Sequence, residues 1–225
     1  MKLFLSGGGS GKDPIELDKK FVQALDTKKP VLYIPIAINT DKHPYPECLK
    51  WIRAIFQPLG FDNFIIWAEN DLQVKTLKSF EQFGGIYIGG GNTFKLLKEL
   101  KEFGTLEILK QLAGKDVPIY GGSAGAIILG RTITTAVGYD ENNINLTDLS
   151  ALDLVNGYEI WCHYSGSEEM KVKEYMGKYH LEKVIAIPES AGLFVTESSI
   201  KVVGPSDVQV FENGSIKTLN PEQGV

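Results

Sequence analysis

The sequence predicts an α/β fold: a three-layer, doubly wound and mostly parallel sheet, with β-hairpins towards the C-terminus. Three observations carry this. Short apolar runs such as residues 31–36 and 86–88 are continuous, not alternating, as expected of strands covered on both faces. Amphipathic segments of helical length separate them, so right-handed crossovers would join parallel neighbours. Glycine clusters at 7–9, 89–91 and 121–125 follow three of the runs, at the strand ends where such sheets bind ligands.

The elements follow in order. Residues 3–5 form a first strand. Asp13-Pro14-Ile15-Glu16 starts a helix, with Asp13 as cap, Pro14 at the first helical position and Glu16 completing a capping box. Residues 31–36, rich in branched side chains, are a second strand. A helix over 46–57 is stopped by Pro58 and Gly60. Residues 64–67 and 86–88 give two more strands. A helix over 93–112 breaks at Gly104, and 117–120 is a fifth strand. Residues 139–153 are polar and read as a loop near the site. Residues 158–164 look like a strand, 168–179 a helix and 184–187 a strand. Residues 193–203 and 208–219 are hairpin material, and Asn213-Gly214 is a tight-turn signal. No repeat or linker divides residues 1–225, so one domain is expected.

Composition narrows the function classes. The 225 residues are 43% hydrophobic and 23% charged, enough for a sizeable core without disulfide or metal support. A net charge of −5 with no basic cluster argues against nucleic acid as a partner. No apolar stretch reaches the ~20 residues of a membrane span, and the N-terminal run is too short for a signal peptide. Cys48 and Cys162 are the only cysteines and are expected reduced, in the cytoplasm. No zinc-ligand spacing occurs, and no metal or cofactor is called for. Oligomeric state is not legible.

Residues 119–126 read Ile-Tyr-Gly-Gly-Ser-Ala-Gly-Ala and lie between apolar runs. That is the form of a nucleophile elbow, a sharp strand-to-helix turn that lifts Ser123 out of the sheet. Gly121 and Gly125 suit a bend whose neighbours leave no room for a β-carbon. A serine hydroxyl needs a base, and only His43, His163 and His180 are present. His163 ends a strand-like run. His180 ends a helix, where the dipole already accounts for a cation, and His43 lies in a proline-rich stretch. A carboxylate should orient the imidazole. Glu189 follows the 184–187 strand, with Asp140 and Glu159 as rivals. The Gly89-Gly90-Gly91-Asn92-Thr93 loop could supply an oxyanion N–H or cradle a phosphate, or be a simple capped turn. Residues 6–13 fail the P-loop pattern, because Ser6 replaces the first glycine and Asp13 the magnesium-binding hydroxyl.

Gly-Gly-Gly-Asn-Thr-Phe at 89–94, the Gly-Gly-Ser-Ala-Gly-Ala turn, Cys162-His163-Tyr164 and Ile187-Pro188-Glu189 together resemble the dipeptidase E family of serine peptidases. The resemblance runs from about residue 1 to 215. It implies a class-I glutamine-amidotransferase-like fold, small peptides as substrate, Ser123 as nucleophile and His163 as base. It also implies an oxyanion hole from the N–H groups of Ala124 and Gly90. Glu189 matches a family acid, and Asp140 is nearest to a second acid sometimes assigned. In one respect the chain departs from the family. Aspartyl preference there is linked to an arginine after the histidine, and here no arginine follows Arg131. Lys171, Lys173 or Lys178 would offer a point charge instead of a planar fork. A non-peptide amidase or esterase, and a catalytically silent small-molecule binder, are the alternatives.

Overall fold

The computed structural model describes residues 1–9, 13–221, 223 and 224. Five parallel strands form most of the main sheet: β1 (Lys2–Ser6), β2 (Val31–Ile34), β3 (Phe64–Ile66), β4 (Gly85–Ile88) and β5 (Pro118–Gly122). The antiparallel pair β8 (Gly192–Val195) and β9 (Ile200–Val203) completes seven strands in the order β3-β2-β4-β5-β1-β8-β9.

Strand periodicity sorts the core into two layers. Leu3, Leu5, Ile86, Ile88 and Ile119 face one side, where they meet α4 (Thr93–Glu102), α5 (Thr105–Gly114) and α6 (Ala124–Ile127). Phe4, Tyr33, Tyr87 and Tyr120 face the other, against α1 (Ile15–Ala24) and α2 (Tyr45–Phe56). Helices therefore cover both faces, as the continuous apolar runs require. The second face is aromatic: the Tyr87 and Tyr120 rings stack at 4.6 Å, and Tyr33 meets Tyr87 edge-on at 5.3 Å.

A second, four-stranded sheet has the order β11-β10-β7-β6. It comprises β6 (Glu159–Trp161), β7 (Lys183–Ala186), β10 (Val208–Glu212) and β11 (Ser215–Leu219). Trp161, Val184, Ala186 and Phe211 pack there with Val172 of α7 (Glu169–Tyr179). One short helix, α3 (Glu69–Leu72), lies before β4. The two C-terminal hairpins thus go to different sheets, β8-β9 extending the first and β10-β11 edging the second. Asn213 and Gly214 both take positive φ, 52° and 74°, as the tight turn requires.

Several expected boundaries move. α1 begins at Ile15, because the first helical bond runs from Asp18 N–H to the Pro14 carbonyl; Asp13 therefore lies one residue outside the cap position. β2 stops before Pro35, whose ring removes a ladder donor. The helix expected over 93–112 is two helices, α4 and α5, hinged at Gly104 with φ +67°. Asn92 caps α4 by accepting from Lys95 N–H at 2.9 Å. The strand expected over 158–164 shortens to Glu159–Trp161, because His163 takes φ +54° and leaves the ladder. Residues 10–12 of the glycine-rich 6–13 stretch lie outside the described residues.

Candidate active site

Ser123 stands where β5 turns into α6, with φ 50° and ψ −111°. A non-glycine residue adopts such a backbone only when its surroundings enforce it. Here they do. A β-carbon on Gly121 would come 2.3 Å from the Gly125 carbonyl oxygen, and one on Gly125 would come 2.2 Å from that of Ile88. The strand and the following turn are therefore in backbone contact, and the bend is as sharp as two missing side chains allow. Ser123 N–H donates to the Ser6 carbonyl at 3.2 Å. The Cys162 thiol donates from below to the carbonyls of Ser123, at 3.5 Å, and Ser6, at 3.8 Å. Burial raises that thiol's pKa, so it stays neutral.

His163 and Glu189 reach Ser123 from the second sheet. β6 and β7 are parallel, with Trp161 opposite Ala186. His163 lies two residues beyond Trp161 and Glu189 three beyond Ala186, so both leave the same edge of adjacent strands. Beyond that edge, Ile187 N–H donates to Trp161 and Tyr164 N–H to Ile187, and His163 N–H donates to the Gly7 carbonyl at 2.7 Å. The outcome is a chain of contacts: Ser123 Oγ to His163 Nε2 at 2.8 Å, and His163 Nδ1 to Glu189 Oε1 at 2.7 Å. His163 and Glu189 are both about half exposed.

The other candidates are placed elsewhere. Asp140 does not meet the imidazole; its Oδ2 accepts from Thr93 N–H at 2.8 Å and from the Thr93 hydroxyl at 2.6 Å, tying the 139–153 segment to the start of α4. Glu159 is buried on β6 and accepts from Thr132 N–H and its hydroxyl, both at 2.9 Å. His180 ends α7 in a left-handed conformation, and His43 is exposed. A β-carbon on Gly90 would lie 3.2 Å from Ser123 Cβ, so the 89–91 backbone passes directly beside the serine. In that loop Gly89 N–H goes to the Ile34 carbonyl and Asn92 N–H to that of Ala37. Ala124 opens α6, where the first amides have no helical acceptor. α6 is one turn long, so its individual N–H groups matter more here than a macrodipole.

Sequence reasoning placed the 7–9 glycines at a ligand-binding strand end but gave them no contact with the histidine. The structure packs them around the imidazole: a β-carbon on Gly8, φ +117°, would come 2.1 Å from His163 Cε1, and one on Gly9 3.1 Å from Glu189 Cβ. The Ser6 hydroxyl donates to the Gly8 carbonyl at 3.0 Å and pins this loop. The glycine run was visible, but its partners lie some 155 to 180 residues further on in the chain.

Two cavities flank Ser123 and His163. One of about 450 Å³ reaches past Gly90 to Asp18, Tyr33 and Trp51. Another of about 310 Å³ reaches Thr93, Tyr139, Asp140 and Trp161. Arg131 points at Glu182, at 3.8 Å. Lys171 lies over the Tyr139 ring at 4.0 Å, Lys173 pairs with Glu169, and Lys178 lies over Tyr179. No helix among the described residues is long and apolar enough to cross a membrane.

A mostly parallel α/β sheet with a serine at a strand-to-helix turn and a histidine beside it defines a class of fold and site. Peptidase family S51 matches residues 3–203, and the chain belongs to that family. It is 31% identical to Peptidase E of Pasteurella multocida over 157 residues, 64% of this chain and 65% of the relative, a little under two thirds of the relative's length. It is 26% identical to Peptidase E of Nostoc sp. strain PCC 7120 over 199 residues, 84% of this chain and 78% of that one. Its fold is like that of a crystallised peptidase from an acI-B1 Actinobacterium, with TM-score 0.74 and 18% identity over 100% of this chain and 96% of the other.

Proposed function

We propose that this protein is a serine-type exopeptidase acting on small peptides, a dipeptidase by preference, in the cytoplasm. The observation that carries the reading is the Ser123–His163–Glu189 relay at 2.8 and 2.7 Å. A carboxylate only accepts, so Glu189 holds the imidazole proton on Nδ1 and leaves the Nε2 lone pair for the serine hydroxyl. His163 takes that proton as Ser123 Oγ bonds to the scissile carbonyl carbon. The carbonyl oxygen becomes an oxyanion, held by the N–H groups of Ala124 and Gly90. Collapse breaks the C–N bond, and the His163 proton goes to the departing amine. Water, deprotonated by His163, then attacks the acyl-enzyme and releases the acid and free Ser123.

The two cavities beside Ser123, of about 450 and 310 Å³, are in the size range of small-molecule sites, which supports small peptides as substrates. The test is hydrolysis of a dipeptide panel beside N-blocked dipeptides, longer peptides and simple esters. The reading expects free dipeptides to be cleaved best. Preferred cleavage of esters or of internal bonds would overturn the exopeptidase assignment.

A further inference from the structure

We propose that the larger cavity beside Ser123 is a specificity pocket for a long substrate side chain ending in a cation, a lysine-type ammonium seated on Asp18 among tyrosine side chains. This rests on the reading of Ser123 as the nucleophile. At about 450 Å³ the cavity is in the size range of small-molecule sites. Tyr33, Tyr87 and Tyr120 wall it from three adjacent strands, because strand periodicity puts all three on the α1/α2 side. Trp51 stands at the α2 end, and Ile38 and Ile55 offer apolar surface for a methylene stem.

Asp18 is the feature that a merely apolar pocket would not contain. It lies on α1, is 2% exposed, and accepts from the Tyr120 hydroxyl at 2.8 Å. It takes no part in the Ser123 relay. A buried carboxylate is costly unless a counter-charge meets it. Burial pushes its pKa up to about 7, the Tyr120 hydrogen bond holding it back in part. A ligand ammonium supplies the missing charge, and the Tyr120 hydroxyl that donates to Asp18 can accept from the same cation. Glu47 adds a second carboxylate to the lining; the basic side chains among the described lining residues are the imidazoles of His43 and His163, with no lysine or arginine. An anionic side chain here meets like charge; a neutral one leaves the acid only its own proton to neutralise it.

The test has two arms. In the first, n-pentylammonium and n-pentanol, equal in length, are titrated calorimetrically at pH 8 into Ser123→Ala protein and into the Ser123→Ala, Asp18→Asn double variant. The ammonium is expected to bind at least about tenfold tighter than the alcohol, with the preference lost in the double variant. Equal affinities, or a preference that survives Asp18→Asn, would overturn the proposal. In the second arm, kcat/KM is compared for dipeptides carrying lysine or norleucine at each position. A lysine/norleucine ratio of about ten or more at one position is expected, falling to about one in Asp18→Asn. A ratio near one at both positions in the wild type overturns the proposal. If no peptide is cleaved while ammonium binding persists, the pocket stands and the peptidase reading fails.

Discussion

Replacing Asp18 by asparagine keeps the side chain's size and its hydrogen bond from Tyr120 while removing a buried titratable group. Burial raises the Asp18 pKa from an ordinary 3.8 to about 7. Each pH unit of such a difference corresponds to about 1.4 kcal/mol, so the ionised form is disfavoured in the fold by on the order of 4 kcal/mol. The sign follows from proton counts. Below pH 3.8 both folded and unfolded chains hold the proton and nothing changes. Between 3.8 and about 7 the folded chain holds a proton that the unfolded chain has released, so stability falls as pH rises. Above about 7 the whole penalty is present. Glu99 is also pushed up to about 7 by burial, but both proteins carry it and the comparison removes it. The assay is urea unfolding of wild type and Asp18→Asn from pH 4.5 to 8.5. Any constant offset from the new amide is ignored; the quantity read is how the difference changes with pH. The variant should gain several kcal/mol relative to wild type across that range. Parallel stability curves would refute the account of Asp18. A residue that weakens the fold at neutral pH while lining a cavity beside Ser123 fits a position kept for function, not stability.

Other expectations follow from the same geometry. Glu189→Gln should lower kcat/KM on the order of 10²-fold, and Asp140→Asn should lower it much less, because only Glu189 meets the imidazole; the reverse ranking in steady-state kinetics would move the acid role to Asp140. Gly8→Ala drives a β-carbon into His163 Cε1 and should cost on the order of 10²-fold in rate. Gly177→Ala, where nothing lies within 4 Å, serves as the control; equal activities of the two variants would contradict the packing role given to Gly8. Selectivity for Asp-Leu over Asn-Leu should stay well below the ~10⁴ reached by sites built around one polar contact, since Arg131 faces Glu182; a ratio above that would assign carboxylate recognition to Lys171 or another cation.

The parallel core and the bend at Ser123 were legible because both are local. Branched apolar runs mark buried strands, and two glycines spaced around a serine mark a turn that admits no β-carbon. The second sheet was not legible: residues 159–161 and 183–186 look like any other strands, and nothing local says that they pair with each other and not with β1 or β5. For that reason Glu189, Asp140 and Glu159 could not be ranked by distance from the sequence, although Glu189 was favoured for following a strand. Asp18 was hidden altogether, one acidic residue in an amphipathic helix. Its burial follows from the Tyr120 hydroxyl across 102 positions of sequence, a contact no periodicity encodes. The 7–9 glycines gave a signal without a partner: they marked a strand end where a ligand could bind and failed the nucleotide-binding patterns, but nothing local tied them to His163.

The central claim is that Ser123 is the nucleophile and His163 its base. The most direct measurement is the site of covalent attachment by a fluorophosphonate, in which serine Oγ bonds to phosphorus and fluoride leaves. Peptide mass spectrometry should place the adduct on Ser123 in wild-type protein. Labelling should be absent in Ser123→Ala and slowed at least about 10²-fold in His163→Ala, while His180→Ala should label at the wild-type rate. An adduct on another residue, or labelling of Ser123 that is indifferent to His163, would contradict the account.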